Sequence, residues 1–239
     1  MSWGHDSWAG YIKFNPNTGF NSIGASWIVP AIQSTPSDST AQLLIWIGLG
    51  GGQSFFGQPE APNDLIQVGT GAYYDNSKNP GYYAFWETFP SLPIQPLSQS
   101  QYPVKPGDKI EADIFLEVLE PIGWVIEIVN TTQGWRFVNS PPYNTSIQTT
   151  QTAEFIVEAP QNSNTVGRKP LPLPNYGEVT FFDCDVDMLN PNFDYNKDSG
   201  FMYDYNFPFI KISVPSQPDS DGDGFTVAYG DIVPSPPPS

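Results

Sequence analysis

Glu158 closes an alternating run, Ala153-Glu154-Phe155-Ile156-Val157-Glu158, and is one of the few residues in this chain equipped for chemistry. If the run is a regular strand, Glu154, Ile156 and Glu158 share one face while Ala153, Phe155 and Val157 enter a core. Two readings fit that face: solvated glutamates on a sheet surface, or carboxylates lining a working groove. Glu87, in Tyr82-Tyr83-Ala84-Phe85-Trp86-Glu87-Thr88-Phe89, shares a face with Tyr83, Phe85 and Phe89. A carboxylate among aromatic rings is desolvated, which raises its pKa and suits it to proton donation; the alternative is an edge position where it reaches water. Gln67 is an amide inside the apolar run Leu65-Ile66-Gln67-Val68, and an inward amide must find partners, structural or catalytic. Trp46, within Leu44-Ile45-Trp46-Ile47-Gly48, is either core or a substrate platform.

Carboxylates and amides carry this weight because little else is available. The 239 residues include one histidine, His5, and one cysteine, Cys184. A structural zinc site needs about four Cys/His ligands and a catalytic one several His, so neither a metal nor another cofactor is expected. A Ser-His-Asp or Cys-His mechanism would have to run through His5, beside a mobile terminus. Cys184 has no partner for an internal disulfide and reads as a small buried hydrophobe. Two other signatures read as turns. Asp198-Ser199-Gly200 matches the short signature of aspartic peptidases, but that chemistry needs two such acids sharing a proton and no second tripeptide exists. Asp219, Asp221, Asp223 and Gly224 imitate the start of a calcium loop, yet Gly230 stands where a bidentate Glu belongs.

Lys+Arg total 9 against 25 Asp+Glu, a net charge of -16. Nucleic acid and anionic lipid both need a basic footprint and are excluded as partners. No apolar run approaches the roughly 20 residues of a membrane helix. Met1-Ser2-Trp3-Gly4-His5 lacks the basic and apolar regions of a signal peptide, leaving a cytosolic chain or a mature form. Few cations and abundant Gln, Asn, Ser and Thr suit a secreted protein working in acid, where protonated carboxylates no longer repel.

The elements that must position these residues are strands. In Lys109–Val118, Ile110, Ala112, Ile114, Leu116 and Val118 fall on one face and Glu111, Asp113 and Glu117 on the other, a period of two that no helix gives. Trp124, Ile126 and Ile128 repeat the alternation after a break at Pro121–Gly123. Further strands are expected at Trp8–Phe14, Ala25–Val29, Leu43–Ile47, Leu65–Val68, Tyr82–Phe89, Ala153–Glu158, Val179–Phe182, Phe209–Val214 and Phe225–Tyr229, all rich in β-branched or aromatic residues. With 21 Gly and 26 Pro, long helices have little room, and many short strands without alternating helices imply an all-β antiparallel sandwich or barrel. No repeat or linker divides residues 1–233, which read as one domain, with a Pro-rich mobile tail at 234–239. The segment Asp187–Asn206 reads as a long loop.

Read together, these segments resemble the glutamic peptidases, the eqolisin (peptidase G1, A4-type) family, over roughly residues 7–186 plus the last strand. Ser7-Trp8-Ala9-Gly10 is similar to the family's S-x-W-x-G opening with one residue fewer. Trp27-Ile28-Val29-Pro30, Trp46-Ile47-Gly48 and Ile66-Gln67-Val68-Gly69 match its Val-Pro, W-[VI]-G and Leu-Gln-Thr-Gly strands. Ala84-Phe85-Trp86-Glu87-Thr88-Phe89-Pro90 looks like A-W-Y-E-W-Y-P, Gly107-Asp108 like its Gly-Asp turn, and Asn130-Thr131-Thr132-Gln133-Gly134 like its N-x-T-x-G loop. Ala153–Glu158 is nearly A-E-F-I-I-E. Where family members often carry Asp, this chain has Gly50 and Gly71, and Phe85 and Phe89 replace a common Trp and Tyr.

The resemblance implies a curved antiparallel two-sheet sandwich of concanavalin-like, jelly-roll type with its site on the concave face. It implies Gln67 and Glu158 as the catalytic pair, with Trp46, Glu87 and Phe89 on the substrate side, and protein or peptide substrates cut by a monomer. Ionised Glu158 would take a proton from water as it attacks the peptide carbonyl. Gln67 would donate to the oxyanion, and Glu158 would then protonate the leaving amine. A Glu pKa of about 4 makes the expected optimum acidic. Two other functions remain open: a sandwich glycoside hydrolase using Glu87 and Glu158, and a non-catalytic lectin-like module binding sugar or peptide.

Overall fold

The computed structural model describes residues 3–33, 40–58, 64–74, 79–119, 122–141, 150–161 and 169–239. Among the described residues fifteen strands follow one another: β1 Trp3–His5, β2 Trp8–Phe14, β3 Ser22–Ile28, β4 Gln42–Leu49, β5 Leu65–Tyr74, β6 Pro80–Phe89, β7 Leu92–Pro96, β8 Lys109–Glu117, β9 Gly123–Asn130, β10 Trp135–Asn139, β11 Thr152–Glu158, β12 Glu178–Val186, β13 Ser199–Tyr203, β14 Lys211–Pro215 and β15 Phe225–Tyr229. A 3-10 turn at Gln53–Phe56 and a one-turn helix, α1, at Tyr195–Asp198 complete the regular structure. Pro121, part of the expected break before β9, lies outside the described residues.

The strands join in the order β10-β9-β8-β3-β12-β15-β14-β13-β2-β11-β4-β5-β6-β7, with β1 added parallel to β13 and every other pairing antiparallel. The path is open and folds back on itself: β4 and β5 pack on β3, β8 and β9. The layer between is apolar because each strand sends alternate residues inward. Ile110, Ala112 and Ile114 from β8 meet Ile45 and Ile47 from β4, Val68 from β5 and Phe155 and Val157 from β11 in one core. Both path ends are poor templates for further pairing: β7 carries Pro93 and Pro96, and β10 is short with its Arg136 paired to Glu127.

Two family-like motifs turn out to be one structural knot. Asp108, almost fully buried, accepts hydrogen bonds from the Lys105 N–H, the Asn130 amide and the Gln133 amide at 2.8 Å each. The Gly-Asp turn therefore clamps the loop that joins β9 to β10.

The expected long loop Asp187–Asn206 is instead partly built: α1 and β13 lie inside it. Asp198 caps this stretch, paired with Lys13 at 2.7 Å and accepting from the Asp194 N–H, while the Ser199 hydroxyl donates to the Tyr195 carbonyl. That is a structural use of Asp-Ser-Gly. Phe209, the expected start of a strand, lies in an exposed turn before β14. Cys184 is buried and free. The Asp219 carboxylate accepts from the Gly222 and Asp223 N–H groups, the polar turn expected there.

Candidate active site

The site follows from register. On β11, Glu158 lies opposite Trp8 of β2 and Leu44 of β4, and Ile156 lies opposite Trp46. On the next pair, Trp46 faces Gly69 and Gly48 faces Gln67; one strand further, Gln67 faces Glu87. Alternation then puts Trp8, Glu158, Trp46, Gln67 and Glu87 on a single face, the one turned away from Phe155 and Val157. A second apolar cluster floors that face: Trp3, Ile12, Leu44, Trp46, Leu65, Phe85 and Ile156 are buried there, with Trp8, Phe55, Tyr83 and Phe89 packed around them.

Glycine makes room for the large side chains. A Cβ on Gly69 would lie 2.1 Å from the Ile45 carbonyl oxygen and 2.6 Å from the Trp46 Cβ. A Cβ on Gly71 would sit 2.3 Å from the Tyr83 ring, which lies across that residue. The missing side chains leave Trp46 and Tyr83 lying over the floor beside Glu158.

Two contacts define the polar centre. The Trp46 indole Nε1 donates to Glu158 Oε2 at 2.7 Å. The Gln67 amide nitrogen donates to Glu87 Oε2 in a short hydrogen bond, while Gln67 Oε1 is buried without a partner. An amide nitrogen carries two hydrogens, so one remains beyond the bond to Glu87.

Burial pushes Glu158 up to about 7, and the Glu87 charge adds to the rise, against the Trp46 and Trp8 indoles, which favour the ionised form. Trp46 is the well-aligned donor; the Trp8 indole, opposite Glu158 in the register, approaches without that alignment. Glu87 is raised as well, chiefly by burial and against its bond from Gln67. Burial and the neighbouring Glu158 push the Tyr83 phenol up to about 12. Glu158 therefore stands above the ordinary Glu range expected from sequence, because burial strips water from the carboxyl.

Other sequence readings need correction. Glu154 is not a solvated surface acid. It is fully buried, neither oxygen has a well-formed hydrogen bond, and burial raises its pKa well above normal against the nearby Thr152 hydroxyl and Gly52 N–H. Trp46 is fully buried and presents no open platform; it acts on Glu158. Of the two settings expected for Glu87, the structure has the desolvated one, not the edge position that reaches water. Phe89 is half-buried against the floor. Trp8, Tyr83 and Glu154 had no assigned role in the sequence reading. For Trp8 the missing information was the pairing of β2 with β11, which no local pattern encodes. His5 lies in the short strand β1.

The Peptidase A4 family matches residues 6–204. The chain belongs to that family, the glutamic peptidases, and is an enzyme, a glutamic endopeptidase. No curated protein matches it. Among solved structures, scytalido-glutamic peptidase with a transition state analog inhibitor is similar at 18% identity and a TM-score of 0.68, covering 94% of this chain and 98% of that one. SCP-B, a member of the eqolisin family of peptidases in complex with the tripeptide Ala-Ile-His, gives 17% identity and a TM-score of 0.65 over the same shares. At these identities the likeness shows a common fold. Protein and peptide substrates follow from the family. Among the described residues, no helix is long and apolar enough to cross a membrane, and no group of three or more His, Cys, Asp or Glu is placed to hold a metal ion.

Proposed function

We propose that the chain hydrolyses peptide bonds through Glu158 and Gln67, with Glu158 as general base and then general acid and Gln67 as oxyanion donor. The observation that carries the reading is one face holding a raised, indole-bonded carboxyl and an amide with a hydrogen to spare. Water gives its proton to Glu158 as its oxygen attacks the carbonyl carbon. The carbonyl oxygen takes the electron pair and receives the Gln67 N–H. When the C–N bond breaks, the proton on Glu158 passes to the departing nitrogen, and the carboxylate is restored.

Protonation sets the working range. Glu158 must be ionised while substrate is attacked. Glu87, close enough for its charge to raise Glu158, favours that ionisation when it holds a proton itself. One proton shared between two neighbouring carboxyls exists on the acid side of the second ionisation. We therefore infer a bell-shaped profile with a weakly acidic optimum, higher than an ordinary Glu would give. Low cation content supports secretion, and the blunted ends of the sheet support a monomer.

The test is cleavage of a denatured protein substrate by Glu158→Gln and Gln67→Ala. Glu158→Gln is expected to be inactive, and Gln67→Ala to lose about 10²–10³ in kcat. Either variant turning over at the wild-type rate would overturn the assignment.

A further inference from the structure

β1 precedes the residues that the family matches, which begin at Asp6, yet it is built into the wall beside Glu158. It runs parallel to β13, with Trp3 opposite Gly200 and His5 opposite Met202. Trp3 is the anchor. Its indole Nε1 donates to the Asp198 carbonyl at 3.1 Å, and its ring lies flat on Gly200, where a Cβ would come within 1.9 Å of it. From there a line of ring contacts runs toward the carboxyl. Trp3 meets Phe55 at 5.0 Å between centroids, and His5 meets Phe55 at 5.3 Å and Trp8 at 5.6 Å. Trp8 packs on Phe55 at 5.9 Å and stands edge-on to Trp46 at 5.1 Å. Trp8 is the residue directly across from Glu158.

Trp8 is half-buried on its own strand, so β2 alone does not fix its indole. The packing that holds it comes from Trp46 on one side and from His5 and Phe55 on the other. His5 is itself held: its Nδ1 accepts from the Ser7 N–H at 3.2 Å and lies 3.0 Å from the Ser7 hydroxyl.

We propose that β1 is part of the catalytic apparatus, Trp3 and His5 being positioning residues that press Phe55 and Trp8 into place so that the Trp8 indole faces the Glu158 carboxyl. This rests on Glu158 being the base. The groups facing Glu158 are the Trp8 indole from β2, the Trp46 indole from β4, and Glu87 and Tyr83 from β6. Those facing His5 are Asp6, 3.7 Å away, the Ser7 hydroxyl, and the Trp8 and Phe55 rings. The Trp8 indole favours ionised Glu158, so loosening it moves the acid limb of kcat/KM to higher pH.

The experiment compares the pH profile of kcat/KM, with kcat and KM separately, for wild type, Trp3→Ala, His5→Ala and His5→Phe on a denatured protein substrate, with Glu158→Gln as reference. The expected result is an acid limb raised by about one unit and kcat lowered about tenfold in both alanine variants, with KM little changed. His5→Phe, which keeps the ring, should restore the wild-type limb. Trp3→Ala and His5→Ala profiles within twofold of wild type, beside an inactive Glu158→Gln, would overturn the role of β1 and leave Glu158 as base. A limb displaced equally in His5→Phe and His5→Ala would assign the effect to the His5 charge and overturn the ring-contact argument. Should Trp3→Ala fail to fold, His5→Ala decides, because that side chain is partly exposed. An active Glu158→Gln would instead remove the base on which the proposal stands.

Discussion

Glu158 owes its chemistry to a contest between burial, which disfavours its charge, and two indoles, which favour it. Each side of the contest can be altered singly. Trp46→Phe keeps the ring and deletes the donor at 2.7 Å. A hydrogen bond to a charged group contributes about 1.5–3 kcal/mol, and about 1.4 kcal/mol corresponds to one pKa unit. The acid limb of kcat/KM should accordingly rise by about one to two units, read from the pH profile. Glu87→Gln acts on the other limb: it fixes the neighbour in the uncharged form that the singly protonated pair requires, so the acid limb should stay in place while the alkaline limb moves to higher pH or is lost. An alkaline limb unchanged in Glu87→Gln would mean that the two carboxyls do not share a site. Gln67 and Glu158 were legible in sequence as candidates, through the motifs that resemble the family's and because one His, one Cys and nine cations leave chiefly acids and amides. Their environments were not. Glu154 and Glu158 occupy equivalent alternating positions, yet one is sealed and the other half-open. Glu154 is covered at Gly52, whose added Cβ would lie 2.9 Å from the carboxyl oxygen.

At the scale of elements, the site depends on four neighbouring strands, β2, β11, β4 and β5, held in one register, with β6 supplying Glu87. Gly69 is where this register is most vulnerable, because a side chain there would strike the backbone of β4 as well as Trp46. Gly69→Ala is expected to cost about 1–3 kcal/mol by overpacking and to lower activity by displacing Trp46, measured as a fall in Tm together with kcat. Strand periodicity exposed β8, β9 and β11 in the sequence because each alternates over many residues. It missed β1, β7, β10 and β13 for identifiable reasons. β1 is three residues long, β7 carries two prolines, β10 is a five-residue edge strand, and β13 follows a helical turn inside a polar stretch. Pairing between distant strands, which brings Trp8 to Glu158, is set by the packing of the whole sheet, and motif order was its only trace in the sequence.

For the molecule as a whole, the acid balance has a thermodynamic consequence. Asp113, beside Asp185, is raised from 3.8 to about 6, first by burial and then by Asp185, Glu127 and Glu111. Glu158 is raised from 4.5 to about 7, and Glu87, Glu154, Asp185 and Asp223 are raised too. A raised acid binds its proton more tightly in the folded chain than in the unfolded one. Stability therefore falls as pH climbs from the unfolded pKa through the folded one. Between pH 3.8 and about 6 for Asp113, and between 4.5 and about 7 for Glu158, each contributes a loss that is absent in stronger acid. Tm should decline across that range, and Glu154→Gln, which mimics the protonated acid, should make the decline shallower in thermal melts. A Tm that rose steadily toward neutral pH would contradict this balance.

The central claim is that Gln67 and Glu158 act on one reacting water and carbonyl. A double-mutant cycle in kcat/KM on a single peptide substrate tests it most directly. Residues acting as a unit are strongly non-additive, so Glu158→Gln/Gln67→Ala should be no slower than the worse single variant. Losses that simply multiply, or a Glu158→Gln enzyme with wild-type turnover, would contradict it.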